Sequence, residues 1–443
     1  MMGCSGSTEK ENDQKNAPAP APTSTLKAIE LMYFDGPGRA ELTRKAFNEG
    51  GVDFKDVRVT NWETVKADPN SAPAQCFGSM PVIVQGEFLL AQSLATAQYA
   101  ADLGINSKKS PTAQQRSLDM MVLGAHADLQ AAMYACVFGT EESKTKGKVD
   151  LPGKVQPLLS GLERLYSGPG PYLYSFSPTL GDLAVANIVT SPFPGLKALG
   201  VDLSPYPKLE ACVSACQEGQ QSQGEVRQPL VEGELELVYF SGPGRAELTR
   251  LALHAGGVPF KDTRVPMGPE WQSLKADPNS APAQCFGSMP VIVHGKHMVA
   301  QSTATAQYAA DLGINKLKPP TAQQRALDTM VLGAHADLQA AMYKCLFGTD
   351  ESKAKGREEL EGKVYPLLAG LERMYKGGGP FLYASESEGP TLGDLAVLNA
   401  VSSPFPGLVA LQVDLSAYPK LNACVAACKT NTARPGLKQY LGA

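Results

Sequence analysis

The chain has 443 residues, with 40 basic and 44 acidic side chains and a formal net charge of −4 at pH 7. A nucleic-acid-binding protein usually carries a strong basic excess, so this near-neutral balance argues against a nucleic-acid partner. We expect no transmembrane helix, because no run of about 18 apolar residues occurs. The polar N-terminus MMGCSGSTEKENDQKN does not fit a secretory signal.

A long internal repeat organises the chain. The decapeptide YFDGPGRAEL at residues 33–42 returns as YFSGPGRAEL at residues 239–248. The longer run KADPNSAPAQCFGSMPVIV occurs at residues 66–84 and again at residues 275–293. A repeat of this length indicates a duplicated globular unit of roughly 200 residues rather than a solenoid.

The first half of each unit predicts a small sheet. It opens with a strand-like alternation, IELMYF at residues 29–34 and LELVYF at residues 235–240. A Gly-Pro-Gly turn, an amphipathic helix closed by glycine and a second strand-like run, DFKDVRV, follow. An irregular segment around Trp62, the hairpin MPVIVQGEFLLAQS and an alanine-rich helix at residues 93–103 come next. This order mixes parallel and antiparallel strands in one sheet.

The second half of each unit predicts helices. Residues 112–139, TAQQRSLDMMVLGAHADLQAAMYACVFG, space their apolar side chains three and four apart, which is typical of a long helix with one buried face. Further helical patterns continue to Cys216. The predicted organisation is a disordered tail at 1–26, α/β domains at 27–106 and 234–315, all-α domains at 111–216 and 320–443, and a linker at 217–233.

Five short motifs recur at matching places in both units. A Tyr-Phe pair ends the first strand, and GRAE opens the first helix. The only two tryptophans of the chain are each followed four residues later by lysine. SMPV precedes the third strand, and AQS opens the alanine-rich helix.

This combination of motifs resembles cytosolic glutathione transferases, most of all the sigma class, which includes haematopoietic prostaglandin D synthases and S-crystallins. The resemblance runs from about Leu26 to the end, once in each unit. It implies a tandem transferase in which each repeat has a thioredoxin-like N-terminal domain followed by an all-helical C-terminal domain. Glutathione would be the co-substrate, with no metal.

The Tyr-Phe pair suits thiol activation. A free thiol titrates near 8.5, so a neutral-pH nucleophile needs a donor aimed at its sulfur. The resemblance implies that Tyr33 and Tyr239 are the catalytic hydroxyls and that Phe34 and Phe240 face the electrophile pocket. The alternative is ordinary packing of strand-end aromatic side chains.

The resemblance also implies a glutathione site in each unit. In the first unit it comprises Arg39, Trp62, Lys66, Met80, Pro81, Gln92 and Ser93. In the second unit it comprises Arg245, Trp271, Lys275, Met289, Pro290, Gln301 and Ser302. Lysine gives a carboxylate its counter-charge, a cis-proline turn presents the backbone of methionine, and a helix N-terminus favours the γ-glutamyl carboxylate. Structural alternatives are an ion pair with Glu41, a core-capping tryptophan and a plain helix cap.

Two departures from the family pattern concern glutathione affinity. The acidic residue that a neighbouring subunit supplies aligns with Leu123 and Leu332, while Asp119 and Asp328 stand one turn earlier. We therefore expect the partner contact to be missing or shifted. Ser79 replaces the usual lysine or glutamine before Met80.

The predicted function is conjugation of the glutathione thiolate to small hydrophobic electrophiles. A glutathione-dependent isomerase or peroxidase, and a non-catalytic crystallin-like protein, are the alternatives. The linker predicts an intramolecular pseudo-dimer of the two units. Nine cysteines without zinc-ligand spacing fit a cytoplasmic, thiol-reduced protein, and MGCSGS predicts weak membrane association if Gly3 and Cys4 are acylated.

Overall fold

The computed structural model of the protein describes residues 27–168, 170–219 and 233–442. The predicted tail, with Gly3 and Cys4, lies outside the described residues, as do residues 220–232 of the predicted linker. Gln217 and Glu218, also assigned to that linker, belong instead to a helix. Within the described chain, no helix is both long and apolar enough to cross a bilayer.

The first unit, residues 27–219, places a four-stranded sheet before a series of helices. Its elements are β1 (Glu30–Phe34), α1 (Glu41–Gly50), β2 (Lys55–Val59), α2 (Trp62–Ala67), α3 (Ala72–Gln75), β3 (Val82–Gln85), β4 (Phe88–Ala91), α4 (Ser93–Leu103), α5 (Ile105–Lys109), α6 (Ala113–Tyr134), α7 (Glu141–Leu165), α8 (Leu180–Thr190) and α9 (Pro207–Glu218). The prediction of an irregular segment around Trp62 is wrong in part, since a short helix begins at that residue.

The second unit, residues 233–442, repeats this order. Its elements are β5 (Leu235–Phe240), α10 (Glu247–Ala255), β6 (Lys261–Val265), α11 (Pro269–Ala276), α12 (Ala281–Gln284), β7 (Val291–His294), β8 (His297–Ala300), α13 (Ser302–Leu312), α14 (Ile314–Leu317), α15 (Ala322–Lys344), α16 (Asp350–Glu358), α17 (Leu360–Met374), α18 (Leu392–Ser402), α19 (Pro419–Thr430) and α20 (Pro435–Leu441). Two helices, α16 and α17, stand where the first unit has the single helix α7.

Both sheets have the predicted mixture of strand directions. The strand orders are β2-β1-β3-β4 and β6-β5-β7-β8. β1 pairs in parallel with β2, with Tyr33 opposite Arg58, and antiparallel with β3. The central strand buries Leu31 completely, because its alternate side chains face the helices that cover the sheet. This register brings Tyr33 to the carboxyl end of the central strand.

Helix ends are fixed by side chains that the sequence pattern marks. Thr112 begins α6 with a capping box to Gln115, and Thr179 begins α8 with a capping box to Asp182. Gly51, at φ +66°, ends α1 in the left-handed region, which fits the glycine closure predicted for that helix. The eight cysteines of the described chain are free thiols.

The two units pack against each other through equivalent elements. α15 contacts α4 and β4, and α13 contacts α6, which also contacts β8. Arg164 of the first unit donates to the carbonyl oxygens of Ala283, Gln284 and Cys285 at 2.8–3.0 Å. Arg373 of the second unit makes the same three contacts with the carbonyls that follow α3. Each arginine therefore supplies donors to the carboxyl end of a short helix in the other unit.

Candidate active site

The hydroxyl of Tyr33 is held by the loop that follows its own strand. It accepts a hydrogen bond from the backbone N–H of Arg39 at 3.0 Å, and Tyr239 accepts one from Arg245 at 2.9 Å. The loop turns back through Gly38 at φ +44°, where a Cβ would lie 2.5 Å from the Tyr33 hydroxyl oxygen. Because this bond uses the hydroxyl as an acceptor, its own proton is still available for a sulfur atom.

A buried arginine that the sequence reasoning did not single out holds this loop in place. The Arg44 guanidinium donates to the carbonyl oxygens of Gly36 and Pro37 at 3.0 Å and to Asp56 at 3.0 Å. Arg250 does the same in the second unit. The signal was present in the sequence, since the repeated decapeptide continues as Thr-Arg in both units.

The side chain of Arg39 extends towards α6 rather than along α1. Its guanidinium carbon lies 5.8 Å from the centroid of the Tyr134 ring, and Arg245 lies 5.6 Å from Tyr343. Glu41 pairs with Arg44 at 3.3 Å. Burial raises the pKa of Tyr134 to about 12, so this ring is an uncharged phenol at neutral pH.

An aromatic cavity adjoins the tyrosine. In the second unit it encloses about 580 Å³ and is lined by Tyr239, Phe240, Arg245, Met267, Tyr343, Phe347 and Phe405, among others. Phe347 and Phe405 meet edge to face with centroids 6.0 Å apart, and Phe138 and Phe193 repeat that geometry in the first unit. Phe240 was predicted to face the electrophile, but the aromatic side chains from α15 and the loop after α18 were missed.

A second cleft opens beside the predicted glutathione residues and takes walls from both units. In the second unit it encloses about 490 Å³ and is lined by Met289, Pro290, Gln301 and Ser302 together with Asp128 and Leu158 of the first unit. The Met80–Pro81 and Met289–Pro290 peptide bonds are cis, as predicted. Ser93 and Ser302 are the first residues of α4 and α13, as expected for a helix N-terminus.

The acidic contact from the opposite unit is shifted rather than missing, since the aspartate stands five residues after the aligned positions Leu123 and Leu332. Gln92 donates to Asp337 at 2.9 Å, and Gln301 donates to Asp128 at 2.9 Å. Burial raises the pKa of both aspartates, while the glutamine and the nearby arginine act in the opposite direction. The repeated run AHADLQAAMY, which contains Asp128 and Asp337, could have indicated this contact from the sequence.

Asp119, the other acidic candidate, faces the interior of its own unit. Its carboxylate accepts from the Tyr174 hydroxyl at 2.6 Å and from the Gly181 backbone at 2.9 Å. Burial raises its pKa to about 7. Asp119 therefore ties α6 to the start of α8 and lies away from the cleft.

The comparisons with known proteins agree with this geometry. A model of the glutathione S-transferase N-terminal domain matches residues 235–311. A probable glutathione S-transferase 5 of Caenorhabditis elegans is 32% identical over 194 residues, which are 42% of this chain and 89% of that protein. The chain belongs to the glutathione S-transferase family. The predicted enzyme class is thereby confirmed, and glutathione is the co-substrate of this family.

Two further relatives of the transferase support the same placement. A class-mu 28 kDa glutathione S-transferase of Schistosoma haematobium is 32% identical over 174 residues, covering 38% of this chain and 77% of that protein. S-crystallin 2 of Enteroctopus dofleini is 26% identical over 201 residues, covering 42% and 87%. Each alignment spans less than half of the present transferase.

The tryptophans of the transferase lie on the short helices α2 and α11 and contact the phenylalanines at the ends of the first strands. Trp62 meets Phe34 edge to face at 5.4 Å, and Trp271 meets Phe240 at the same distance. Lys66 and Lys275, on the same short helices, are exposed. The structure thus places each tryptophan against the phenylalanine that follows the tyrosine, with the lysine one turn further along the same helix.

The histidines of the transferase have structural partners. His126 bonds to Asn187 at 2.9 Å and His335 to Asn399 at 2.7 Å, and burial lowers the pKa of both imidazoles. His294 bonds to the Tyr308 hydroxyl. No group of three or more His, Cys, Asp or Glu side chains within the described ranges could hold a metal ion.

Proposed function

We propose that each unit conjugates the glutathione thiolate to a small hydrophobic electrophile, with Tyr33 or Tyr239 as the hydroxyl that stabilises the thiolate. The observation that carries the proposal is the position of this hydroxyl. It accepts a backbone N–H, its tyrosine lines an aromatic cavity, and Arg245, which also lines that cavity, borders the cleft beside Met289. A hydrogen bond received by the hydroxyl polarises it and makes it a stronger donor.

The proposed chemistry needs only a displacement. The tyrosine O–H donates to the sulfur, the thiol proton passes to solvent, and the thiolate forms a C–S bond while the leaving group departs with its electron pair. The cavity offers aromatic surface to an apolar electrophile. Phe34 and Phe240 contribute to that surface.

The predicted glutathione residues supply complementary groups along the cleft. Lys66 and Lys275 would counter the glycyl carboxylate, and the backbone of Met80 and Met289 would pair with the cysteinyl part. The N-termini of α4 and α13, beginning at Ser93 and Ser302, would receive the γ-glutamyl carboxylate. Asp337 and Asp128 would receive its ammonium group.

We also propose that the two units form a pseudo-dimer within one chain. Asp337 of the second unit reaches Gln92 of the first, and Asp128 of the first reaches Gln301 of the second. Each site would then depend on the opposite unit for one charge. The domain boundaries, the cytoplasmic location and the acylated tail stay predictions.

Single-site variants test the proposal. Conjugation of glutathione to a chlorodinitrobenzene is measured for Tyr33→Phe, Tyr239→Phe and the double variant, with Tyr365→Phe in α17 as the matched control. Each single variant should lose part of the rate and the double variant nearly all of it. An inactive wild type that still binds glutathione would overturn conjugation and direct the search to isomerase or peroxidase substrates, or to a binding role.

A further inference from the structure

The two units are near copies, yet the side chains that meet between them differ in a complementary way. Where α6 packs against β8, the Ser117 hydroxyl lies 2.9 Å from His297 Nε2. Both residues are buried, at 2% and 5% exposure. The equivalent positions on α15 and β4, which also pack together, hold Ala326 and Phe88.

The polar pair has a defined hydrogen-bond direction. The Ser117 hydroxyl donates its single proton to the Gln114 carbonyl at 2.7 Å, so it accepts from His297 Nε2. The apolar pair has no such requirement, because a methyl group and a phenyl ring carry no hydrogen-bonding atoms. Ala326 is fully buried, and Phe88 is half-buried and packs against the Tyr99 ring at 5.3 Å. One side of the interface is therefore polar against polar, and the other is apolar against apolar.

We propose that this interface is matched for pairing a first unit with a second unit and that it disfavours pairs of identical units. Two first units would bury Phe88 against Ser117 at both places, because a two-fold interface repeats every contact. Two second units would set His297 against Ala326 twice. Each mismatch removes a buried hydrogen bond or places an apolar ring on a buried hydroxyl. This discrimination rests on the pairing of units proposed above, and it goes beyond it by specifying which partner fits.

A neighbouring position differs between the units without changing this conclusion. Thr329 donates to Gln98 at 2.5 Å across the interface, whereas the residue equivalent to Thr329 in the first unit is Met120. Gln307 Oε1, which is equivalent to the acceptor in Gln98, has no hydrogen-bond partner among the described residues. Two mixed pairs have two good and two poor contacts here, and one pair of first units together with one pair of second units has the same total. The choice between mixed and identical pairing is therefore made by Ser117 and His297.

The consequence for the whole chain is intramolecular pairing. Both sites take an aspartate from the opposite unit. A mixed pair forms within one chain, where the second unit is present at high effective concentration. Pairs of identical units require two chains. The proposed matching therefore adds to the advantage of effective concentration and favours a single chain with two complete sites.

One exchange of a hydroxyl between the units tests the proposal. In the full chain, Ser117→Ala combined with Ala326→Ser keeps the composition but places His297 against a methyl group and Phe88 against a hydroxyl. The pairs between identical units become matched. We expect the thermal midpoint to fall by about 2–4 °C and sedimentation to show association between chains at least tenfold tighter than in the wild type.

The matched control is Ser117→Ala combined with His297→Phe, which makes both pairs apolar. It should remain a single chain with a thermal midpoint close to that of the wild type. An exchanged variant that is also a single chain with an unchanged midpoint would overturn the proposal. The proposed function is judged separately, since a wild type without conjugation activity would overturn it whatever the masses and midpoints show.

Discussion

The Tyr33 hydroxyl is placed by close contact with a glycine, and this predicts the effect of a single methyl group. Gly38→Ala would put a Cβ 2.5 Å from the hydroxyl oxygen at a φ of +44°. The left-handed region alone costs alanine about 1–2 kcal/mol, and the clash would move the phenol ring. We expect kcat/KM of the first unit to fall about tenfold or more, measured by conjugation in a Tyr239→Phe background.

Gly36→Ala is the control for this prediction, because a Cβ at Gly36 would meet no described atom within 4 Å. It should leave the rate within about twofold of the parent, since a surface substitution away from special geometry usually changes stability by about 0.5 kcal/mol or less. Equal losses in both variants would mean that general loosening of the loop, rather than contact with the hydroxyl, controls the rate.

The negative charge that each unit places at the site of the other leads to a second prediction about single residues. Asp337→Asn keeps an acceptor for Gln92 but removes the charge, so KM for glutathione at the first site should rise about tenfold with little change in kcat. KM is measured in the Tyr239→Phe background, where Asp128→Asn should have no effect. An equal rise in both variants would contradict the crossed arrangement.

The pH dependence of that KM follows from the same carboxyl group. Burial raises the pKa of Asp337, and the Gln92 bond and Arg39 only partly offset it. A raised pKa means that the carboxylate takes up its proton at a higher pH than an ordinary aspartate does. Affinity for glutathione should therefore weaken as pH falls through this raised value, and Asp337→Asn should remove that dependence.

At the scale of elements, the helix caps could be predicted from the sequence and make a testable claim about stability. Thr179 and Asp182 form a complete capping box in a fully buried setting, with the Asp182 carboxylate also accepting from Tyr166 and Leu173. Thr179→Ala should lower the free energy of unfolding by about 1–2 kcal/mol. Urea denaturation measures it, with the exposed Thr145→Ala as the control. Equal effects of the two variants would contradict a special role for this cap.

Local pattern explains what the sequence could predict at this scale. Alternation in ELMYF places β1 with Leu31 inside, and the Gly-Pro-Gly turn marks where the strand ends. Both depend only on neighbours in the chain. The helical start at Trp62 was missed, because neither a side-chain cap nor a buried face marks α2.

Contacts between distant segments explain what the sequence could not predict. Gln92 and Asp337 are 245 residues apart, and their meeting depends on how the units pack. The same holds for Phe347 and Phe405, which line the aromatic cavity of the second unit from the segments that follow α15 and α18. An alignment that placed the acidic position on Leu123 was off by little more than one helical turn, and only the packing of α6 on the other unit resolves such a shift.

At the scale of the whole molecule, each unit shapes the site of the other. Gly161 of the first unit lies against Phe286, where a Cβ would meet the ring at 2.3 Å, and Gly370 lies against Phe77 in the same way. Phe286 itself lines the cleft beside Met289 in the second unit. Packing between units and the shape of the cleft are therefore set by the same residues.

Arg164 belongs to one unit and contacts the segment beside the cleft of the other unit. It belongs to the first unit but donates three hydrogen bonds to the carbonyls of Ala283, Gln284 and Cys285, just before the segment that lines the second cleft. Removing charged donors from such carbonyls costs about 1.5–3 kcal/mol per bond when no water replaces them. Arg164→Ala should therefore raise KM for glutathione about tenfold at the second site and leave the first site unchanged.

Arg373→Ala is its mirror and should act on the first site alone, since it binds the carbonyls of Ala74, Gln75 and Cys76. Tyr33→Phe and Tyr239→Phe backgrounds report the two sites separately. A rise in KM at the site of the mutated unit itself would mean that the arginine acts within its own helical domain, and would contradict the crossed coupling. A rise in KM only at the second site for Arg164→Ala, and only at the first site for Arg373→Ala, would show that each cleft depends on the unit across the interface.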